Sequence, residues 1–434
     1  MADAILRGRL FGFHAEPAGP DDRSSYDYIE DGILVVRAGR IAALGPAEDL
    51  LPTLPPGAAI AHYPGQLILP GFIDLHIHLP QTQVIASYGA QLLEWLEKYT
   101  FVEEQKYGDP AHAEAGARFF LKELLRNGTT SAVVYGSVHA QSVEAFFTES
   151  ERLGTGMIAG KVMMDRNAPE ALRDTAQTGY DESKALIDRW HGRGRQRYAV
   201  TPRFAITSTP AQLDAAGWLL REHPGTYLQT HLAENRDEIA ATQRLFPDAA
   251  SYTDIYRRHG LLGPRSLFGH CIHLDDSEVA LLAESGSVAV FCPTSNLFIG
   301  SGLFDRARLA SHAPPVRIGL ATDVGGGTSY SMLATAAEAY KVQQLQGQTL
   351  SPLAAFYQIT RGNALALGLE DEIGTLATGS WADLVVLDTK ATPAMAHRMA
   401  TTARLEDELF ALMILGDDRA VRATYVQGRR VVHL

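Results

Sequence analysis

Residues 67–83 read LILPGFIDLHIHLPQTQ, an apolar run that closes on His76 and His78 before proline and glutamine end it. Side chains two apart in a strand share one face, so both imidazoles point the same way. A run apolar on both faces suits a strand covered on both sides, as in a parallel sheet. Seven further runs follow: TTSAVVYG (129–136), GMIAGKVMMD (156–165), YAVTPRF (198–204), TYLQTHLAE (226–234), SLFGHCIHL (266–274), SVAVFCPTSN (287–296) and RIGLATDVGGG (317–327). Between them lie amphipathic stretches such as AEAGARFFLKELLRNG (113–128), whose closing Asn-Gly is a helix stop. Eight strands, each followed by a helical pattern, predict an α/β fold, a (β/α)8 TIM barrel.

The two ends of the chain read differently. GILVVRAGRIAALG (32–45) has the look of a hairpin, and GTLATGSWADLVVLD (374–388) and RATYVQGRRVV (422–432) are β-branched runs broken by glycine. A small composite β-sandwich built from both termini is expected, with residues 1–67 and 372–434 contributing to it and 68–371 forming the barrel.

Composition narrows the function. The 434 residues carry a formal net charge of −12, which argues against a nucleic-acid surface, since phosphate neutralisation needs clustered Lys and Arg. No apolar run approaches the roughly 20 residues of a membrane span, and the first residues lack a signal-peptide layout. Cys271 and Cys292 are too few for a disulfide framework. Cys271 is expected to pack against helices and Cys292 to lie inside the seventh strand. A cytoplasmic protein acting on a small molecule is the expectation.

In such barrels the chemistry sits at the C-terminal ends of the strands. Those ends carry His76, His78, Tyr135, Asp165, Arg203, His231 with Glu234, His270, Ser295 with Asn296, and Asp323. His76, His78, His231 and Asp323 make a set of three imidazoles and one carboxylate that suits Zn2+, with iron or manganese also acceptable to such donors. Each residue alone has a plainer explanation: a packed histidine, a solvated one, or an aspartate opening a turn. Four of them at strand ends of one barrel point to a metal. His139 and His273, just past strand ends, are candidates for supporting groups.

These residues in this order resemble the amidohydrolase superfamily and, within it, the guanine deaminases. The carrying stretches are PGFIDLHIHLPQTQ, LLEWLEKYTFVEEQKY (92–107), VTPRF (200–204), HLAEN (231–235), GHCIHL (269–274), CPTSNLFIGSG (292–302) and ATDVGGGTSYSM (321–332). Binuclear members carry a bridging lysine at the end of the fourth strand, where this chain has Arg203; Lys161 is expected at the start of the third strand, the wrong end for the mouth. The resemblance therefore implies one metal per chain.

It also implies roles. Glu234 protonates N3 of a purine, Asp323 relays the proton of the attacking water to the leaving ammonia, and His270 aims that water at C2. Gln81 and Arg203 donate to O6 and N7, His231 and Glu234 touch the substrate, and Phe204 and Trp95, with Tyr99 and Phe101, cover the ring. A homodimer is implied as well. Other substrates left open within the superfamily are 8-oxoguanine, pterins, triazines and adenosine-like compounds; a barrel kept as a non-catalytic scaffold is the alternative from another class. The cytidine-type zinc deaminases are excluded, because HAE at His14 and His112 is followed by no P-C-x-x-C anywhere.

Overall fold

The computed structural model describes residues 4–89 and 91–431. Four strands come first: β1 (Ala4–Phe13), β2 (Tyr26–Arg37), β3 (Arg40–Pro46) and β4 (Ala61–Pro70). Eight parallel barrel positions follow, filled by β5 (Phe72–His78), β6 (Thr129–Tyr135), β7 (Ile158–Gly160) with β8 (Val162–Met163), β9 (Arg197–Pro202), β10 (Tyr227–Leu232), β11 (Ser266–His270), β12 (Val288–Phe291) and β13 (Arg317–Leu320). The chain ends with β14 (Leu384–Leu387), β15 (Val421–Val426) and β16 (Arg429–Val431). The (β/α)8 barrel read from the eight runs is the observed architecture.

Two of those runs are interrupted. LILPGFIDLHIH breaks at Gly71, with LILP ending β4 and FIDLHIH forming β5. A Cβ on Gly71 would stand 2.2 Å from Thr130 Oγ1, so the crossing from one sheet to the other leaves no room for a side chain. The third run divides around Lys161, which lies mid-run rather than at its start. Its fully buried ammonium turns outward to Asp174, 2.6 Å away and outside the barrel mouth. Cys292 lies one residue past β12, not inside it, and opens the helix Pro293–Phe298.

Strands from both ends of the chain share one seven-stranded sheet in the order β16-β15-β14-β4-β1-β2-β3. Alternation divides its side chains. Ile68, Leu384 and Val386 join Leu6 and Leu34 in a core of their own, while Leu67, Leu69, Val385 and Leu387 pack against the barrel's outer layer. The C-terminal part also holds two helices that the β-rich reading lacked, Pro393–Met399 and Leu405–Leu415. The second buries Leu409, Leu412 and Met413, spaced three and one apart along its inner face.

The barrel closes between β13 and β5 largely through side chains. Asp74 accepts hydrogen bonds from both the amide and the hydroxyl of Thr322, and Asn363 Nδ2 donates to the carbonyls of Ile73 (2.7 Å) and Leu320 (2.8 Å). The amide of Asp323 donates to the His76 carbonyl at 2.8 Å and that of His78 to the Val324 carbonyl at 2.9 Å. Among the described residues, no helix is long and apolar enough to cross a membrane.

Candidate active site

A bulge in β5 aims the two histidines. Ile73 and Leu75 point into the barrel, so simple alternation would send Ile77 inward and both imidazoles outward. Between Asp74 and Ile77, however, β5 advances three residues while β6 advances two, from Ala132 to Val134. The extra residue reverses the parity: Ile77 joins the outer core, and His76 and His78 face the mouth. Their Nε2 atoms stand 3.2 Å apart, each 3.3 Å from Asp323 Oδ1. Gly269 in β11 faces the His76 ring, where a Cβ would lie 2.6 Å from Cε1. Tyr135 stacks on His78 with centroids 4.4 Å apart.

His231 and Glu234 leave the end of β10 together. The His231 Nδ1 lies 2.7 Å from the Arg203 carbonyl, which can only accept, so Nδ1 carries the hydrogen and Nε2 is free for the cluster. Ala233, at φ +51°, bends the chain into an Asn235–Glu238 capping box. Glu238 Oε2 accepts from the amides of Glu234 (2.8 Å) and Asn235 (3.0 Å), which fixes where the Glu234 side chain begins. His270 and Asp323, at φ +76° and +52°, are also left-handed. Such strain in residues that are not glycine clusters at working sites. His270 Nδ1 lies 2.8 Å from Asn296 Oδ1, and its Nε2 is 3.3 Å from Glu234 Oε2 and 3.7 Å from Asp323 Oδ2.

Burial and mutual charge set the protonation states. Burial pushes His78 down to about 3, and burial followed by the neighbouring imidazoles holds His231 well below the usual histidine range. Burial opposes ionisation of Asp323, but His76 and His78 beside it hold its carboxyl well below the usual range. Neutral imidazoles around an ionised carboxylate are the forms that bind a cation. Bonds of about 2.0–2.1 Å at tetrahedral angles would put ligand nitrogens about 3.3 Å apart, so the 3.2 Å between His76 and His78 fits such an ion. The same pattern extends to His231, whose donor nitrogen lies within 4.8 Å of theirs. Glu234 goes the other way: burial, then the nearby Asp323 charge, raises it to about 8.

The cluster forms one wall of a cleft enclosing about 380 Å3 of empty space, its open mouth included. Trp95, Leu96, Phe204 and Ile299 supply apolar surface, and Gln81 and Arg203 are polar groups on the same lining. Both are held by Glu104, which is completely buried: Gln81 Nε2 donates to its Oε1 at 3.1 Å, and Arg203 Nη1 lies 2.9 and 2.8 Å from its two oxygens.

Comparison with known proteins decides the family. The amidohydrolase family model matches residues 67–431. The guanine deaminase of Escherichia coli (strain K12) is 48% identical over 408 residues, 94% of this chain and 92% of that protein. The chain belongs to the amidohydrolase family. Among solved structures, E. coli guanine deaminase superposes with a TM-score of 0.96 at 47% identity, covering 99% of each chain. Guanine deaminase from C. acetobutylicum, solved with guanine in its active site, superposes with a TM-score of 0.87 at 27% identity, covering 99% of this chain and 100% of that one. Amidohydrolases depend on metal, and the three histidines with Asp323 offer this one a site for it.

Against that family frame, His76, His78, His231, Glu234, His270 and Asp323 converge in one cluster, with Gln81, Arg203, Phe204 and Trp95 in the adjoining cleft. Tyr99 and Phe101 are not part of the lining; Phe101 lies under the Arg203 guanidinium, 5.6 Å from the ring centre. Asp165 instead accepts from the amide (2.7 Å) and the hydroxyl of Thr209, the residue that caps the helix Pro210–Glu222. Cys271 is packed in the outer core, as its register implied. His139 starts helix Ala140–Leu153 outside the cleft, whereas His273 contacts Ser301, which touches Glu234. Glu104, Glu238 and Ser301 escaped the sequence reading. Their partners lie far along the chain or in a capping box; the box alone has a local signature, Asn235 with Glu238 three residues on.

Proposed function

We propose that this protein hydrolyses guanine to xanthine and ammonia, in purine catabolism, with one Zn2+ per chain held by His76, His78, His231 and Asp323. The observation that carries this reading is the pairing across one cleft of a buried acid, Glu234, with two anchored donors, Gln81 and Arg203. The 48% identity to the E. coli guanine deaminase supports it. A bound cation would supply Lewis acidity that lowers the pKa of a water to about 7.

The chain's own residues account for the rest. Gln81 and Arg203, aligned by Glu104, hydrogen-bond O6 and N7 at the far edge of the purine. Phe204 and Trp95 bound the ring. Adenine presents an amine where guanine has O6, and a site built around that acceptor rejects it strongly. Glu234, neutral at pH 7 because its carboxyl is raised to about 8, gives its proton to N3 as water adds at C2. Asp323 takes one proton from the attacking water and delivers it to the departing amine. The C2–N bond breaks with loss of ammonia as the remaining hydroxyl proton returns to Glu234 and the C2 carbonyl of xanthine forms. His270 keeps its hydrogen on Nδ1 for Asn296, which leaves the Nε2 lone pair to orient the water. Iron in place of zinc is compatible with the same donors. The resemblance to guanine deaminases extends the proposal to a cytoplasmic homodimer.

The experiment is ammonia release and xanthine formation from guanine, with elemental analysis of the same sample. Guanine turnover with about one metal per chain is expected. Glu234→Gln should keep the metal and lose activity by about 100-fold or more. A metal-loaded protein inert toward guanine would overturn the substrate, and a metal-free one the whole mechanism.

A further inference from the structure

The segment after β12 reaches both Glu234, the proton donor, and His270, which orients the water. Asn296 Oδ1 accepts from His270 Nδ1 at 2.8 Å, and five residues on Ser301 Oγ donates to Glu234 Oε1 at 3.0 Å. Ser301 is tied at both ends of its own backbone. Its amide donates to the Asn296 carbonyl at 2.8 Å, and its carbonyl accepts from His273 Nε2 at 2.8 Å. Gly302 leaves room for that imidazole, since a Cβ there would lie 3.3 Å from His273 Cε1. Ser301 is 5% exposed and Glu234 2%, so bulk water does not compete for this bond.

A hydroxyl has one hydrogen to give. Given to Oε1, it makes that oxygen an acceptor, and the proton of a neutral Glu234 then resides on Oε2. That oxygen faces His270 Nε2 at 3.3 Å, on the side of the reacting groups. We propose that Ser301 is a positioning residue that keeps the acid proton of Glu234 on Oε2, and that residues 296–301 tie the orientation of Glu234 to that of His270. The inference rests on the reading of Glu234 as the proton donor to N3.

The step balances with no added reagent. The water oxygen bonds to C2 as Asp323 takes one of its protons, the C2–N3 π pair takes the proton from Oε2, and Glu234 becomes a carboxylate. Ser301 holds Oε1 before and after transfer, and its bond strengthens as charge develops on the carboxylate. Such a contact favours the transition state over bound substrate, so its loss falls on kcat rather than KM.

The test compares Ser301→Ala, Ser301→Cys and Ser301→Thr in the metal-loaded protein, with guanine kinetics, metal content and far-UV circular dichroism. Cysteine has the shape of serine with a larger, weakly donating thiol, so it separates loss of the hydrogen bond from loss of side-chain bulk even where alanine is poorly folded. Ala and Cys should lower kcat about 10-fold or more with KM within about twofold, and Thr should return kcat to within about threefold of the parent. Full kcat in Ser301→Cys, a loss confined to KM, or a Thr variant no better than Ala would overturn the proposal. Glu234→Gln separates the two levels: if it keeps turnover, the donor reading falls and this inference with it. If it is inactive while Ser301→Cys runs at full rate, only the positioning role falls.

Discussion

Glu104 and Arg203 form an ion pair sealed inside the protein, the guanidinium Nη1 within 2.9 Å of both carboxylate oxygens and neither side chain more than 3% exposed. A buried pair of this kind stabilises little on net, but removing one partner is costly because the other charge is left uncompensated. Here the surviving partner would be a group that lines the cleft. In the proposed mechanism the pair therefore couples stability to substrate recognition.

Glu104→Gln tests that coupling. Glutamine offers one acceptor oxygen where the carboxylate offers two, and its NH2 would face donors on Gln81 and Arg203. A stability loss of about 3 kcal/mol is expected, with kcat/KM for guanine down about 100-fold. Thermal unfolding and steady-state kinetics read the two effects. An unchanged kcat/KM would mean that Arg203 needs no anchor.

The pH profile follows from Glu234. Its carboxyl is raised from 4.5 to about 8, so the protonated form that the mechanism requires dominates at neutral pH. The kcat/KM for guanine should fall about tenfold per pH unit above about 8. The sign is set by which form works: a donor fails when it is deprotonated. A profile that rose through the same range would assign Glu234 as a base.

Gly269→Ala tests a contact behind the proposed metal ligands. The added methyl would stand 2.6 Å from His76 Cε1 and 2.8 Å from its Nδ1, forcing the ring to move. Groups that orient a ligand typically change metal affinity about 10- to 100-fold. Faster metal loss on dialysis against a chelator is expected, with the secondary structure intact. Retention equal to the parent would show that the ring has slack.

Asn363→Ala tests the barrel seam. The variant would leave the buried carbonyls of Ile73 and Leu320 without the Asn363 donor, and the Leu320 amide without its acceptor at 3.0 Å. Groups left unsatisfied cost about 1–3 kcal/mol each, so unfolding should occur several degrees lower. A melting temperature within a degree of the parent would assign closure to the backbone contacts of His76 and His78.

Read alone, the sequence determined the eight strands, the residues at their ends, and the fact that His76 and His78 share a face. Strand periodicity and turn residues are local signals, and a histidine pair two residues apart inherits them. Which face the pair takes was beyond its reach. A shift of one residue flips every side chain, and the β5 bulge that makes the shift exists only in pairing with β6. The two glutamates of Phe101–Glu104 make the same point. Glu103 pairs with Lys106 near the surface, while its neighbour Glu104 is buried against Arg203, 99 residues away. Nothing local separates them. A buried charge is defined by the partner that compensates it, and only the folded chain brings that partner near.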